Sequence, residues 1–478
     1  MYVRFLGIFC LVLIISISSF AEDSEKIKPR VLGDDIKVYQ SPGEDEEFSL
    51  SEEFVEPTGA ITLRHALSLA LYNNPGLRAF SWEVRAREAQ ALQAGLPPNP
   101  EISFEVEDFG GTGSVEGFDG TETTILLSQL IPLGGKLSKR KKVSSLNTNL
   151  AIWDYESQRI NVLTQTTLSY IKVLAAQEEY KLELKLVELA QKVHSVVSER
   201  ARAGEISPIQ EKMSQVALSG TKIKLEQSRR ELEASKRILT SMWNGTEPKF
   251  NVAEGNLYSI SPIPTYESLS ALLSDNPEIA RWSSEIEQRR ATIKLEKANA
   301  IPDPFISGGY RHISERNDNA FVVGLSIPIP VLNRNQGAIA EARRRLNKAV
   351  EQQQSAETLA NRALAEAYEN LSASYDEAMI LKDTVLPEAE SAYELIFEGY
   401  REGEFPLLNV LVAQKAIFNA KLQYIEALLL YHSSVANVER LTATPLEEIQ
   451  KYRGDEIPAA EDKTGSKKDE DKRENINE

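Results

Sequence analysis

The chain has 478 residues, and its 71 acidic against 54 basic side chains give a net charge of −17. This disfavours nucleic acid as a partner and supplies either plain solubility or a field that favours cations. Its single cysteine, Cys10, lies in the first apolar segment, so the remainder has no disulfide, thiolate metal site or cysteine nucleophile. Length alone suggests about three ordinary domains, but long helical periodicities point to one elongated body.

Residues 1–21 combine Arg4, an apolar run from Phe5 to Ile17 and the small-residue end Ser19-Phe20-Ala21, the pattern of a secretory signal cleaved after Ala21. The run is shorter than the roughly 20 residues of a spanning helix, and no later stretch approaches one, so any membrane crossing must use strands. Residues 22–58 are acidic, with Glu44-Asp45-Glu46-Glu47 the densest point, and read as an extended arm.

A first unit is expected over 59–244. From Ile61 the pattern is helical, breaks at Asn73-Asn74-Pro75, resumes to about Ala94 and stops at Leu96-Pro97-Pro98-Asn99-Pro100. The period then changes. Ile102, Phe104 and Val106 alternate with Ser103, Glu105 and Glu107, a strand with one face in an apolar medium and the other wet. Strands are expected at about 101–108 and 121–131, joined by the glycine-rich loop Gly110 to Gly120 and closed by Pro132-Leu133-Gly134-Gly135.

Residues 136–243 then read as two long helices folded back at one turn. Leu182, Leu186, Leu189, Val193 and Val196 form the seam of the rising arm. An uninterrupted helix from Lys136 to Arg202 would be about 100 Å long. At the turn, Gly204 suits a left-handed helix end, Ser207 an N-cap and Pro208 a first helical position, with Gln210 completing an S-x-x-Q capping box.

The same series recurs about 200 residues later. Asn276-Pro277 answers Asn74-Pro75, Ile301-Pro302-Asp303-Pro304 answers Leu96 to Pro100, and Ile327-Pro328-Ile329 answers Ile131-Pro132-Leu133. Arg401-Glu402-Gly403-Glu404 answers Arg202-Ala203-Gly204-Glu205. The chain is a duplication. A linker over 245–265, expected beside the stretch after Leu441, joins it to a second unit over 266–447. That unit has strands at about 305–312 and 320–329 and a hairpin at 337–441, in which Leu411, Phe418, Leu422, Ile425 and Leu429 form a seam. Pro387 marks a kink or the first turn of a new helix. Residues 448–478 are charged, of mixed sign, and read as a disordered tail.

Four strands cannot close, and an open edge in lipid leaves backbone groups unpaired at several kcal/mol each. Several chains must share one barrel. Two would give eight strands and an interior filled by side chains, whereas three give twelve and leave a lumen; three is favoured.

Catalytic patterns are lacking. His65, His194, His312 and His432 fall in unrelated elements without i, i+4 pairing. Gly134-Gly135-Lys136-Leu137 lacks both the first glycine and the hydroxyl of a phosphate loop. No enzyme activity, cofactor or metal site is expected.

The signal, the doubled unit of helix, strand pair and hairpin, and the G-E tips resemble the TolC-type outer membrane factors over residues 60 to 447. P-N-P-E-I-S-F-E-V-E-D-F-G-G, G-F-D-G-T-E-T-T and L-G-G-K-L-S-K-R are most similar to the heavy-metal, CzcC-like branch. The resemblance implies a mainly α fold with membrane β. A homotrimeric 12-stranded barrel would sit in outer-membrane lipid, continued by a helical coiled-coil tunnel across the periplasm. It implies a passive conduit, driven by an inner-membrane pump, commonly proton-driven, through a periplasmic adaptor.

Under the same resemblance, Gly204, Glu205, Gly403 and Glu404 are the adaptor-contact tips. The aperture positions, counted six and nine residues beyond the second-tip glycine, are Asn409 and Val412, with Gln210 at the first tip. Acidic residues are the family's pattern there, and this chain departs from it. Cation preference would then fall to Glu402, Glu404, Glu105 or Glu107. Drug efflux, type I protein secretion and a non-channel periplasmic coiled-coil protein are the alternatives.

Overall fold

The computed structural model describes residues 56–446. The signal-like segment, the acidic arm as far as residue 55 and the charged tail lie outside the described residues. The first half runs β1 (Ala60–Thr62), α1 (Leu63–Asn73), α2 (Pro75–Ala94), β2 (Glu101–Glu107), β3 (Glu122–Leu130), α3 (Lys136–Arg202) and α4 (Pro208–Ser241). After β4 (Val252–Glu254) and the short α5 (Tyr266–Ser270) come α6 (Pro277–Asn299), β5 (Phe305–Ile313), β6 (Asp318–Ser326), α7 (Gln336–Ile380), α8 (Leu386–Glu402) and α9 (Leu407–Thr442).

The long rising arm is continuous in the first half: α3 has 67 residues without a break, about 100 Å. The second arm covers the same length from residue 336 to residue 402, but Leu381–Val385 form a π-helical turn between α7 and α8. Pro387, in the first turn of α8, lacks the amide an uninterrupted α-helix would use, and the wider turn absorbs that loss. Both arms start from a left-handed residue, Gly135 at φ 65° and Asn335 at φ 56°.

The returning arms are shorter than the rising ones. Helices α4 and α9 have 34 and 36 residues, about half an arm, so neither hairpin is a pair of equal helices. The half of α3 nearer the sheet packs instead against α2 and α6. Each full arm is thus matched by two shorter helices stacked end to end.

The caps at these stacking points are doubled with the repeat. Asn74 Oδ1 accepts from the Leu77 amide at 3.0 Å while its Nδ2 donates to the Met242 carbonyl at 2.8 Å. Asn276 Oδ1 accepts from Glu278 at 2.8 Å while Nδ2 donates to Arg440 and Leu441 at 3.1 and 3.0 Å. One asparagine therefore caps the start of an upper helix and holds the end of the lower one.

Ile61, read from sequence as the start of a helix, lies in β1, which pairs in parallel with β4. The side chain of Gln177 clamps this small sheet, donating to and accepting from Ala253 at 3.0 and 2.7 Å. The Tyr170 hydroxyl lies between the Ile61 and Glu254 carbonyls, and burial, then the Glu254 charge, push its pKa up to about 12. Beyond β4 the linker leaves the first half: Ile260 and Ile263 pack with Leu441 and Leu446.

Strands β2-β3-β5-β6 form one antiparallel sheet in that order, leaving β2 and β6 as edges. Its register places Ile102, Leu127, Gly308 and Val323 in one row, and Phe104, Ile125, Tyr310 and Phe321 in the next. That face is apolar and exposed: Phe321 is 90 %, Val323 84 % and Ile102 77 % accessible. Strand β6 ends at Ser326, so Ile327 and Ile329 belong to the connection that follows.

The two halves are tied where strands become helices. Lys136 Nζ, its side chain 5 % exposed, contacts Asp303 Oδ2 at 2.7 Å and donates to the Ile301 carbonyl at 2.5 Å. Asp303 Oδ1 accepts from the Leu133 amide at 2.8 Å. Burial pushes the Asp303 carboxyl up, but the hydrogen bonds from Lys136 and Leu133 and the charges of Lys136 and Arg140 outweigh it and hold it below its ordinary 3.8. A depressed carboxyl stabilises the fold above its unfolded pKa, and that contribution is lost as pH falls through the folded value. Asp303→Asn should therefore lower stability at neutral pH by about 3 kcal/mol, because it strands a buried ammonium. The difference from wild type should shrink below about pH 4; melting of both proteins across that range checks it.

Candidate functional site at the helical tips and on the sheet

The ends of α3 and α8 are built alike. Glu205 N donates to Arg200 O at 3.0 Å and Gly204 N to Ala201 O at 3.1 Å; Glu404 N donates to Gly399 O at 2.8 Å and Gly403 N to Tyr400 O at 3.2 Å. Each pair is a Schellman termination, which requires the left-handed residue supplied by Gly204 (φ 76°) and Gly403 (φ 88°). The restart differs. Ser207 Oγ accepts from Ile209 at 3.3 Å, one residue earlier than an S-x-x-Q capping box uses, so Gln210 does not complete that box. At the second tip Pro406 precedes α9, and Phe405 folds onto Gly399 so closely that a Cβ there would lie 2.5 Å from the ring.

Arg200 joins the two tips. Its Nε donates to Glu205 at 3.1 Å, its Nη1 donates to the Tyr400 carbonyl at 3.1 Å, and its guanidinium lies 5.3 Å from the Tyr400 ring. Glu205 is therefore engaged within the chain, whereas Glu404 is exposed without an ion pair among the described residues. Behind the tips, Val193, Val197, Tyr393, Tyr400, Val410 and Ile417 form a common apolar cluster. Burial pushes the Tyr393 hydroxyl up to about 12.

Helix α9 buries Leu407, Val410 and Ala413 in this cluster and turns Asn409 and Val412 outward together, Val412 being 60 % exposed. Gln210 is half-buried in the first turn of α4. Two of the three aperture candidates thus share one open face of α9, and the third lies on α4.

The polar face of the four-stranded sheet carries Glu105 and Glu107 from β2, Glu122 and Thr124 from β3, and Asp318 from β6. Sequence reading missed the cation at its centre. Arg311, on β5, donates to Glu122 at 2.7 Å and Thr124 at 2.9 Å and lies 3.6 Å from Glu107. Only strand register shows this, since Arg311 is about 190 residues from those partners. Among the described residues, no group of three or more His, Cys, Asp or Glu could hold a metal ion, and no helix is long and apolar enough to cross a membrane.

The model of the outer membrane efflux protein family matches residues 66–245 and 268–444, one segment in each half of the duplication. The cobalt-zinc-cadmium resistance protein CzcC of Cupriavidus metallidurans is 32 % identical over 386 residues, 81 % of this chain and 91 % of that protein. The nickel-cobalt-cadmium resistance protein NccC of Alcaligenes xylosoxydans xylosoxydans is 24 % identical over 290 residues, 61 % of this chain and 64 % of that protein. Among solved structures, CusC superposes with a TM-score of 0.66 at 16 % identity, covering 85 % of this chain and 99 % of that one. VceC of Vibrio cholerae superposes at 0.65 and 16 % identity, covering 80 % and 96 %. The duplicated sheet and arms, the match in both halves and the identity to CzcC lead to one conclusion: the chain belongs to the outer membrane efflux protein family.

Proposed function

We propose that three copies of this chain close a twelve-stranded barrel and continue it as a helical tunnel, forming the passive outer-membrane conduit of a tripartite efflux system for heavy-metal cations. The observation that carries this reading is the four-stranded sheet, with one apolar exposed face, one polar face and two unpaired edges. Three such sheets meeting edge to edge satisfy every backbone group and leave a lumen. The metal assignment rests on the likeness to CzcC and on the acidic polar face. A periplasmic adaptor meets the tips, and an inner-membrane pump, driven by protons, supplies the energy. Loss of the protein should sensitise cells to cobalt, zinc or cadmium, with a drug panel unchanged. The reverse pattern would exclude metal as cargo.

Glu404, exposed at the second tip, is the stronger adaptor contact, because Glu205 is held by Arg200. Glu404→Cys should crosslink to an adaptor and Glu205→Cys less efficiently, with neither capturing a periplasmic bystander. No adaptor crosslink from either position would count against docking at the tips.

In this reading the open face of α9 looks into the tunnel, and three copies of Asn409 form a polar, uncharged constriction, with Val412 on the same face and Gln210 the lesser contributor from the first tip. A carboxylate at 409 would place three negative charges in a narrow, partly desolvated space, where each interaction exceeds its value in bulk water. Asn409→Asp should raise cation selectivity and introduce block by multivalent cations, while Asn409→Ala should raise conductance. Wild-type conductance and reversal potential in both variants would place Asn409 elsewhere.

A further inference from the structure

Positive charge is gathered at one level of this acidic protein. The first 18 residues of α3, Lys136 to Trp153, contain five basic residues and no acidic one. The first 15 of α7 contain Arg343, Arg344, Arg345 and Lys348 against Glu341 alone. The last 11 of α6 contain Arg289, Arg290, Lys294 and Lys297 against Glu296 alone. Each of these segments adjoins a strand through five to nine connecting residues. At 1.5 Å per residue the basic side chains therefore lie within roughly 20 Å of the helix ends that adjoin the sheet.

Part of this charge is committed within the chain. Lys136 pairs with Asp303, Lys142 with Glu287 at 3.2 Å, Arg289 with Glu285 at 2.5 Å and Arg345 with Glu341 at 2.6 Å. Glu296, the lone acid at the end of α6, accepts from Asn335 at 2.7 Å. Lys141, Lys294, Lys297, Arg343, Arg344 and Lys348 are exposed and make no ion pair among the described residues. They surround three helix ends as a collar.

A second feature sits between the collar and the sheet. The connection from β6 to α7 exposes Ile329 (81 %) and Leu332 (87 %), and with Pro302 and Pro328 they line a groove of about 460 Å³. Moving from the strands toward the helices, the surface passes from the apolar face of the sheet, through an apolar loop, to unpaired cations. This is the profile of a bilayer from acyl core to headgroups.

We propose that this collar binds anionic phospholipid headgroups of the periplasmic leaflet, with the Ile329–Leu332 groove taking part of an acyl chain. The collar complements phosphate in charge, and the exposed Ile329 and Leu332 join it along the chain to a strand whose apolar face is exposed. Each basic side chain near such a surface adds roughly fivefold to the preference for an anionic lipid at low salt, and added salt screens it.

The test uses the full-length protein in nanodiscs of mixed phosphatidylethanolamine and phosphatidylglycerol, with lipids retained after delipidation counted by native mass spectrometry. The wild type should retain phosphatidylglycerol above its share of the mixture, and salt should erase the excess. A Lys141→Gln, Arg343→Gln, Arg344→Gln triple variant should lose it, while an Arg229→Gln, Arg230→Gln variant, altered on α4 away from the collar, should keep it. Retention by the wild type in proportion to the mixture would overturn the proposal, and this arm stands even if the triple variant fails to fold. So would an unchanged preference in the triple variant. A shifted reversal potential with unchanged lipid retention would place these side chains in the lumen, and binding to peptidoglycan that anionic vesicles do not compete would assign them to the cell wall; either result overturns the proposal.

Discussion

A backbone amide or carbonyl in hydrocarbon has no water to fall back on, and this constraint governs the molecule. The four-stranded sheet satisfies its own interior and leaves the outer edges of β2 and β6 open. Duplication supplies strands in pairs, and the pairs meet within one chain where β3 joins β5 over nine residue pairs. What duplication cannot supply is closure.

The helical part meets a different demand, carrying a wall about 100 Å long without a globular core. Its side chains bury in a succession of small clusters along the arms, from the tip group around Val193 and Tyr400 to the group of Ile61, Tyr170 and Trp243 at the short parallel sheet. Where a wall helix stops partway, an exposed chain end would cost unsatisfied amides and carbonyls. The paired asparagines Asn74 and Asn276 satisfy both sides of that break with a single side chain each.

Much of this is visible in the residues. Alternation gave the strands, because one face meets lipid and the other water; the recurrence of N-P, P-x-P and G-E gave the duplication. The long arm from Lys136 to Arg202 shows in its unbroken pattern. Three kinds of feature are not legible. The end of β6 at Ser326 is hidden because Ile327 and Ile329 carry the apolar alternation on past it. Strand β1 is too short for a period and depends on a partner about 190 residues away. Arg311 and Arg200 draw their roles from neighbours that only folding brings near: the turn residues show each tip, but not that Arg200 joins the two.

The equal length of the two rising arms has a consequence for heredity. Gly135 and Asn335 start them 200 residues apart, and Arg202 and Glu402 end them 200 residues apart, although one arm is continuous and the other contains a π-helical turn. One inserted residue in either arm would rotate everything beyond it by about 100° and displace it by about 1.5 Å, turning buried positions outward and setting one tip below its twin. A later insertion is tolerable only in the loops, or in both arms together. The two copies can therefore drift in side chain and even in helix type, but not in length: each half has become the ruler by which the other is measured.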